Sequence, residues 1–172
     1  MESELTKFIK QTLRDALEPK LRELNFFAPS LEKRFEGIPL SFDVYSYKKF
    51  GNKCFAIWEL EISSPHHEVN VKKQRKVLNF KWQPTVFLFH VFSPDYYDSQ
   101  RKACHHLAKK LEDEFPRRFV YTQLEISTDY EKFIRIKNSF ESSKNYAKQY
   151  YGKDVINAMR KIARQSISVL KN

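Results

Sequence analysis

Residues 41–62 have the sequence SFDVYSYKKFGNKCFAIWELEI, and this stretch decides the fold. Both of its halves are rich in aromatic and β-branched residues, which favour β-strands. The pair Gly51-Asn52 lies between the two halves, and a Gly-Asn pair flanked by such runs is typical of a tight turn. The stretch therefore predicts a β-hairpin, around which the rest of the chain is interpreted.

The length of the hairpin loop decides which acidic residues share a face of the sheet. A three-residue loop over residues 50–52 would place Asp43 directly opposite Glu59. Glu61 would then lie on the same face as Glu59, because side chains two apart on a strand point the same way. A two-residue loop would instead pair Asp43 with Leu60, on the opposite face of the sheet. Only the first register gathers three carboxylates.

Carboxylates gathered in this way repel one another unless positive charge lies between them. A divalent cation would supply that charge. The alternative is a solvated face of the sheet, on which some of the many lysines of the chain neutralise Glu59 and Glu61.

The composition indicates a folded domain with an acidic partner. The chain has 172 residues, of which 41% are hydrophobic, so it is long enough to bury one substantial core. Its 31 lysines and arginines exceed its 21 aspartates and glutamates, and the formal net charge of +10 favours nucleic acid first and an anionic membrane second. Two cysteines, Cys54 and Cys104, are too few for a disulfide framework and are predicted to be buried thiols.

Membrane insertion and secretion have no support in the sequence. No apolar run approaches the ~18 residues of a membrane span, and the first residues lack the apolar core of a signal peptide. We therefore expect a soluble, intracellular protein of the cytoplasm.

Hydrophobic periodicity around the hairpin predicts an α/β fold with a mixed β-sheet flanked by helices. The apolar run PTVFLFHVF at residues 84–92 is typical of an interior strand that helices cover on both faces. Pro19 is expected to kink the first helix or to start a second turn. The other predicted elements are a helix over residues 2–24, a short edge strand near residues 34–35, a helix over 67–80, a helix over 95–114 and a strand over 118–126.

The predicted domain consists of an α/β core over residues 1–126 and a C-terminal helical extension over residues 127–172. The extension is predicted to form two helices that divide at Tyr151-Gly152. Aromatic and basic residues alternate along it. Such helices pack on their own domain or on a second copy of the chain, or they stack and clamp a nucleic acid strand.

The predicted helix after the hairpin concentrates Lys72, Lys73, Arg75 and Lys76 within about one and a half turns. Four cations so close together favour contact with the phosphates of a nucleic acid. The alternative is a solvated helix face.

The order of these features resembles the PD-(D/E)xK nuclease superfamily over roughly residues 2–92. Asp43 lies where that superfamily has its motif aspartate, and Glu59 lies where it has the second acid. Glu61 stands at the position of the usual lysine, and Phe42 replaces the proline. The match is therefore a Glu-x-Glu variant of the motif, and it implies a restriction endonuclease-like core.

This resemblance implies a metal-dependent endonuclease that hydrolyses phosphodiesters of nucleic acid, DNA more than RNA. Mg²⁺ or Mn²⁺ would be held by Asp43 and Glu59, with the main-chain carbonyl of Leu60 as a further ligand. Glu61 would orient or deprotonate the attacking water. In some members the lysine comes from the following helix, so that Lys72, Lys73 and Lys76 are candidates here, with Lys73 assigned.

Two rival interpretations and the question of assembly accompany the nuclease hypothesis. A nuclease-like fold without catalytic activity would bind nucleic acid as a module with no metal requirement. A zinc site is suggested by several side chains, but neither adjacent histidine pair has the spacing that lets two ligands share a metal on a helix. The possible zinc ligands are His66, His67, His90, Cys104, His105 and His106.

Cutting both strands of a duplex needs two sites, so a homodimer or a partner subunit is expected.

Overall fold

The structure is a computed structural model that describes residues 2–31, 37–38, 40–48, 51, 53–62 and 67–172. Helices and strands alternate along most of the chain, as the hydrophobic pattern predicts. The elements in chain order are α1 (Glu4–Glu23), β1 (Ser30–Leu31), β2 (Val44–Lys48), β3 (Cys54–Glu61), α2 (His67–Lys72), α3 (Gln74–Leu78), β4 (Thr85–Phe92), α4 (Asp98–Glu114), β5 (Phe119–Glu125), α5 (Tyr130–Ser142) and α6 (Lys144–Lys171).

The five strands form one mixed sheet in the order β1-β2-β3-β4-β5. Strands β1, β2 and β3 pair antiparallel, whereas β3, β4 and β5 pair parallel. Parallel neighbours need a long crossover. Helices α2 and α3 provide it between β3 and β4, and α4 provides it between β4 and β5. The predicted fold class, an α/β protein with a mixed sheet flanked by helices, is confirmed.

Helices cover both faces of the sheet and bury its central strands. Helices α1, α5 and α6 pack on one face, where their apolar residues join Trp58 and Phe89 in one hydrophobic core. Helices α2, α3 and α4 pack on the other face around Phe55 and Leu88. All eight residues of β3 are buried. The C-terminal helices α5 and α6 therefore pack on their own domain, one of the alternatives that the sequence left open.

The register of the hairpin is the one predicted for a three-residue loop. Val44 pairs with Trp58, and Lys48 pairs with Cys54. Gly51 has a φ of +73°, a conformation that glycine adopts without steric cost. This register places Asp43, which directly precedes β2, beside Glu59 of β3. The edge strand predicted near residues 34–35 lies outside the described residues, and β1 is the strand that pairs with β2 there.

The helix predicted over residues 67–80 is divided in two. Helix α2 ends at Lys72 and α3 begins at Gln74. At Lys73 the amide of Lys76 donates to the carbonyl of Lys73 at 3.1 Å, which is the tighter hydrogen bond of a 3₁₀ turn. Lys73 therefore lies at a corner between two short helices.

One predicted helix boundary is wrong. Helix α1 runs through Pro19, in agreement with the helix predicted over residues 2–24, and its buried residues Leu17 and Leu21 lie in the core on both sides of the proline. Helix α6 continues through Gly152, which is buried and packs near the ring of Phe8 on α1. The division between the C-terminal helices lies instead at Ser143, which has an extended backbone. Tertiary packing outweighs the ~1 kcal/mol that a helical glycine costs.

Among the described residues, no helix is both long enough and apolar enough to cross a bilayer.

Candidate functional site

The candidate site lies near the C-terminal end of β3, beside Asp43, which directly precedes β2. The main-chain amide of Leu60 donates a hydrogen bond of 2.7 Å to Asp43 Oδ2. Glu59 precedes Leu60, and its side chain is only 2% exposed. Asp43 is partly exposed at 22%. The site therefore has one buried carboxylate and one that solvent reaches, on neighbouring strands.

Helix α1 contributes a lysine to this site. Lys10 Nζ lies 2.7 Å from Asp43 Oδ1, and it also contacts the carboxylate of Glu2. The side chain of Lys10 is only 7% exposed. A buried lysine is costly unless acids neutralise it, and two acids do so here. Asp43 thus accepts from the main chain through one oxygen and pairs with Lys10 through the other.

Glu59 pairs with the lysine at the corner between α2 and α3. Lys73 Nζ lies 2.6 Å from Glu59 Oε1 and donates at 3.0 Å to the carbonyl oxygen of Ser41. The same ammonium lies 5.2 Å from the centre of the Phe42 ring, within the range of a cation–π interaction. The lysine assigned from the resemblance is therefore in contact with the second acid of the motif.

Burial dominates the ionisation of Glu59. Loss of solvent raises the pKa of this carboxyl to about 8, although the positive charge of Lys73 lowers it. The negative charges of Asp43 and Glu61 raise the pKa further. The three acids of the motif are therefore close enough to interact electrically. A proton or additional positive charge at this position is favourable near neutral pH.

The raised pKa of Glu59 predicts a pH dependence of stability. The pKa in the unfolded chain is near 4.5, so between about pH 4.5 and pH 8 the folded protein holds a proton that the unfolded chain has released. The free energy of unfolding should therefore fall as pH rises through that window. Urea denaturation across this range measures it, with Glu59→Gln as the comparison. A wild-type slope that persists in Glu59→Gln would assign the dependence to other groups.

Glu61 is engaged in a second, fully buried set of contacts. Its Oε1 accepts from Asn70 Nδ2 at 2.6 Å and lies 2.7 Å from Nε2 of His90. The hydroxyl of Tyr96 reaches Oε2 at a longer 3.5 Å. Glu61 and His90 are both 0% exposed. Glu61 therefore lies deeper in the fold than Asp43.

The hydrogen bonds around His90 continue to the edge strand β5. His90 Nδ1 lies 3.0 Å from the hydroxyl of Tyr121, and Gln123 Nε2 donates to that hydroxyl at 3.0 Å. Burial lowers the pKa of His90, while the neighbouring Glu61 raises it. A neutral imidazole that donates from Nε2 to Glu61 accepts from Tyr121 at Nδ1, so every donor in the chain has an acceptor. Glu61 is thereby held in one orientation.

Lys73 does not share a surface with the other basic residues predicted to bind nucleic acid. Lys72 pairs with Glu68 at 3.3 Å, and Arg75 pairs with Glu114 at 2.5 Å on α4. Lys76 is exposed, whereas Lys73 turns inward to Glu59. Lys72, Arg75 and Lys76 are therefore the exposed members of this basic segment.

Neither a three-ligand metal centre nor a zinc site is present among residues 2–31, 37–38, 40–48, 51, 53–62 and 67–172. No group of three or more His, Cys, Asp and Glu side chains in these ranges is arranged to hold a metal ion. His90 and Cys104 are buried, whereas His105 and His106 are exposed on α4. His66 lies outside the described residues. Lys10 and Lys73 supply positive charge to Asp43 and Glu59.

Some residues of the site were missed by the sequence analysis. Lys10 carried a signal, because it lies next to Ile9 on the apolar face of α1. His90 carried another, as the one titratable residue within the apolar run of β4. Asn70 and Tyr121 carried none, since polar residues at such positions are usually solvated.

Comparison of the chain with protein-family models, with curated proteins and with solved structures gives no match.

Proposed function

We propose that this protein is a metal-dependent nuclease that hydrolyses phosphodiester bonds of nucleic acid. One observation carries the proposal. The lysine absent from the Glu-x-Glu motif is supplied by the following helical segment, because Lys73 Nζ lies 2.6 Å from Glu59 Oε1. Asp43 lies beside Glu59 in the hairpin register. Two acids and a lysine therefore occupy adjoining positions at one end of the sheet.

The donor set suits a hard divalent cation. Asp43 and Glu59 offer carboxylate oxygens, and the main-chain carbonyl of Leu60 directly follows Glu59 in sequence. Mg²⁺ binds through one or two carboxylates together with substrate phosphate and water. A pair of acids is therefore sufficient, and a cluster of three protein ligands is not required. The negative charges of Asp43 and Glu61, which add to the raised pKa of Glu59, also favour a cation beside it.

The bound ion would polarise the scissile phosphate and lower the pKa of a water molecule. The side chains of the protein have separate tasks. The Leu60 amide and Lys10 hold Asp43 in place. Lys73 stabilises the negative charge that develops on the phosphate oxygens.

Glu61 was assigned to the attacking water, and that role stays a prediction. Its contacts with His90 and Asn70 favour a second task, which is to brace the end of β3 from the other side. The proposed substrate contacts near the site are the exposed basic residues Lys72, Arg75 and Lys76, which would bind phosphates of the nucleic acid. DNA is the proposed substrate through the resemblance.

A binding module without catalytic activity is the second candidate. It is favoured by the ion pairs of Lys10 and Lys73, which already neutralise Asp43 and Glu59 in the described structure. Calorimetric titration with Mg²⁺ or Mn²⁺ separates the two candidates. The nuclease should bind the ion, and Glu59→Ala should lose that binding. A wild-type protein that binds nucleic acid but no ion would be the module.

The direct test is incubation of the purified protein with plasmid DNA and with single-stranded DNA and RNA. Cleavage should occur with Mg²⁺ or Mn²⁺ and should stop when EDTA is added. Cleavage that is unchanged in EDTA would contradict the metal requirement, and no cleavage of any substrate with either ion would contradict the nuclease proposal.

Lys73 provides a sharper test of the site. Replacing Lys73 by Met should lower the rate of cleavage by about 100-fold or more, because a positioned group that stabilises developing charge contributes this much. Lys81→Met is the matched control, since Lys81 is an exposed lysine that is not among the proposed substrate contacts. Rates measured at saturating metal should fall for Lys73→Met alone. Equal rates for the two variants would remove Lys73 from the site.

A further inference from the structure

One face of α6 is exposed along most of the helix and carries aromatic and basic side chains. Residues that recur at intervals of three or four lie on one face of a helix. The opposite face, which includes Ala158 and Ile162, is buried against α1 and the sheet. We define the α6 stripe as Tyr146, Tyr150, Lys153, Arg160, Lys161 and Arg164, all of which are exposed.

The α6 stripe has positive charge without neutralising acids. The helix contains seven lysines and arginines and a single acid, Asp154. Asp154 lies at the edge of the stripe and pairs at 2.8 Å with Lys132 of α5. Within the part of the chain that the structure describes, Arg160, Lys161 and Arg164 form no ion pair. Their charge is therefore available to an external anion.

The aromatic end of the stripe is also unusual for a surface. Tyr146 and Tyr150 are 52% and 59% exposed, and their ring centres lie 4.3 Å apart. Exposed rings in contact with each other offer a platform on which the flat face of another ring can stack. Bases of an unpaired nucleic acid strand have such faces, whereas those of a duplex are already stacked.

We infer that the α6 stripe binds single-stranded nucleic acid, with bases stacked on the two tyrosines and phosphates along the basic residues. The distance from Tyr146 to Arg164 is roughly 27 Å at the helical rise of 1.5 Å per residue, which is enough for several nucleotides. An anionic membrane is a poorer fit, because membrane-surface helices insert Leu, Phe or Trp side chains and the stripe has none. This inference deepens the proposed function, because it adds a second binding surface for the nucleic acid substrate, separate from the site at Asp43. It rests on the proposed function for the choice of nucleic acid as the ligand.

The test is binding of the whole protein to a short fluorescent oligothymidylate in EDTA, followed by fluorescence anisotropy. The triple variant Arg160→Gln/Lys161→Gln/Arg164→Gln should bind at least about tenfold more weakly. Its logarithmic salt slope should fall by about 2, because about 0.7 of a counterion is released per neutralised phosphate. The double variant Tyr146→Ala/Tyr150→Ala should lose about tenfold in affinity with an unchanged slope.

The matched control removes the same charge from the other side of the sheet. Lys102, Lys109 and Lys110 are exposed on α4, and the triple change of these residues to Gln should leave binding within about twofold of wild type. Equal losses in the two triple variants would overturn the inference, since net charge would then explain binding. Undiminished oligonucleotide binding by either α6 variant would also overturn the inference. A protein that binds anionic vesicles through the α6 face but binds no oligonucleotide would overturn it as well.

These measurements separate the inference from the nuclease proposal. Binding in EDTA requires no metal and should persist in Asp43→Ala. A protein that binds the oligonucleotide through α6 but cleaves no nucleic acid would support the α6 stripe and contradict the nuclease proposal. A protein that cleaves nucleic acid, but whose α6 variants bind the oligonucleotide like wild type, would support the nuclease site at Asp43 and contradict the α6 stripe.

Discussion

Replacing Asp43 by Ala is expected to abolish metal-dependent cleavage, with a loss of at least about 1,000-fold. Asp43 is the partly exposed carboxylate of the site, and substrate and ion can reach it while Glu59 is buried. A metal contributes several kcal/mol of charge stabilisation to such a reaction, and about 1.4 kcal/mol is a factor of ten in rate. The measurement is the initial rate of plasmid cleavage at saturating Mg²⁺.

Stability must be followed in the same experiment, because Asp43 also has a structural role. Its removal leaves the Leu60 amide without its hydrogen bond and takes the Asp43 carboxylate away from the buried Lys10. A loss of about 1–3 kcal/mol in the free energy of unfolding is expected from the unpaired groups. Asp95→Ala is the control, because Asp95 is similarly shielded at 17% exposure and pairs with Lys137. Asp43→Ala that stays folded and cleaves like Asp95→Ala would refute the assignment.

Replacing Trp58 by Ala is expected to lower the free energy of unfolding by about 3–5 kcal/mol, because truncation of a core aromatic loses its transfer free energy and leaves a cavity. Trp58 is fully buried on β3 and stacks on Phe89 with ring centres 5.1 Å apart. Its Nε1 donates at 2.9 Å to the hydroxyl of Ser166 on α6. This side chain therefore joins the central sheet to the C-terminal helix. Equilibrium denaturation in urea measures the loss.

Trp58→Phe separates the hydrogen bond from the packing. Phenylalanine keeps an aromatic ring beside Phe89 but cannot donate to Ser166, whose hydroxyl still donates to the Ile162 carbonyl. The smaller variant should lose about 1–2 kcal/mol. A loss below about 1 kcal/mol for Trp58→Ala would show that α6 packs on the sheet independently of this contact. It would also mean that the C-terminal helices are not part of the main cooperative unit.

The hairpin shows how far local sequence restricted the site. The alternation of residues 41–62 and the turn at Gly51 left two registers, and the observed one places Asp43 beside Glu59. The apolar run of β4 similarly required cover on both faces, which the two helical layers provide. In both cases the interactions involved are short in sequence or set by hydrophobic pattern.

The neutralisation of the acids could not be predicted in the same way. Lys10 reaches Asp43 from a helix more than thirty residues earlier, and His90 meets Glu61 only because β3 and β4 pair in parallel. Lys73 was assigned through the resemblance alone, from three lysines of the basic segment, and its contact with Glu59 depends on how that segment lies over the sheet. The identity of each partner depends on how helices lie over the sheet, which periodicity does not specify.

The amino-acid sequence by itself determined the class of the fold and limited the hairpin to two registers, one of which places Asp43 beside Glu59, because hydrophobic alternation and turn chemistry act over a few neighbouring residues. Only the tertiary structure decided that Lys10 pairs with Asp43 and Lys73 with Glu59, that Glu61 is held by His90 and that α6 exposes a stripe of aromatic and basic residues. Those features arise from long side chains that bridge separate elements. Their pairing follows from the burial of whole helix faces, since a charge removed from water must find a partner wherever the packing brings one.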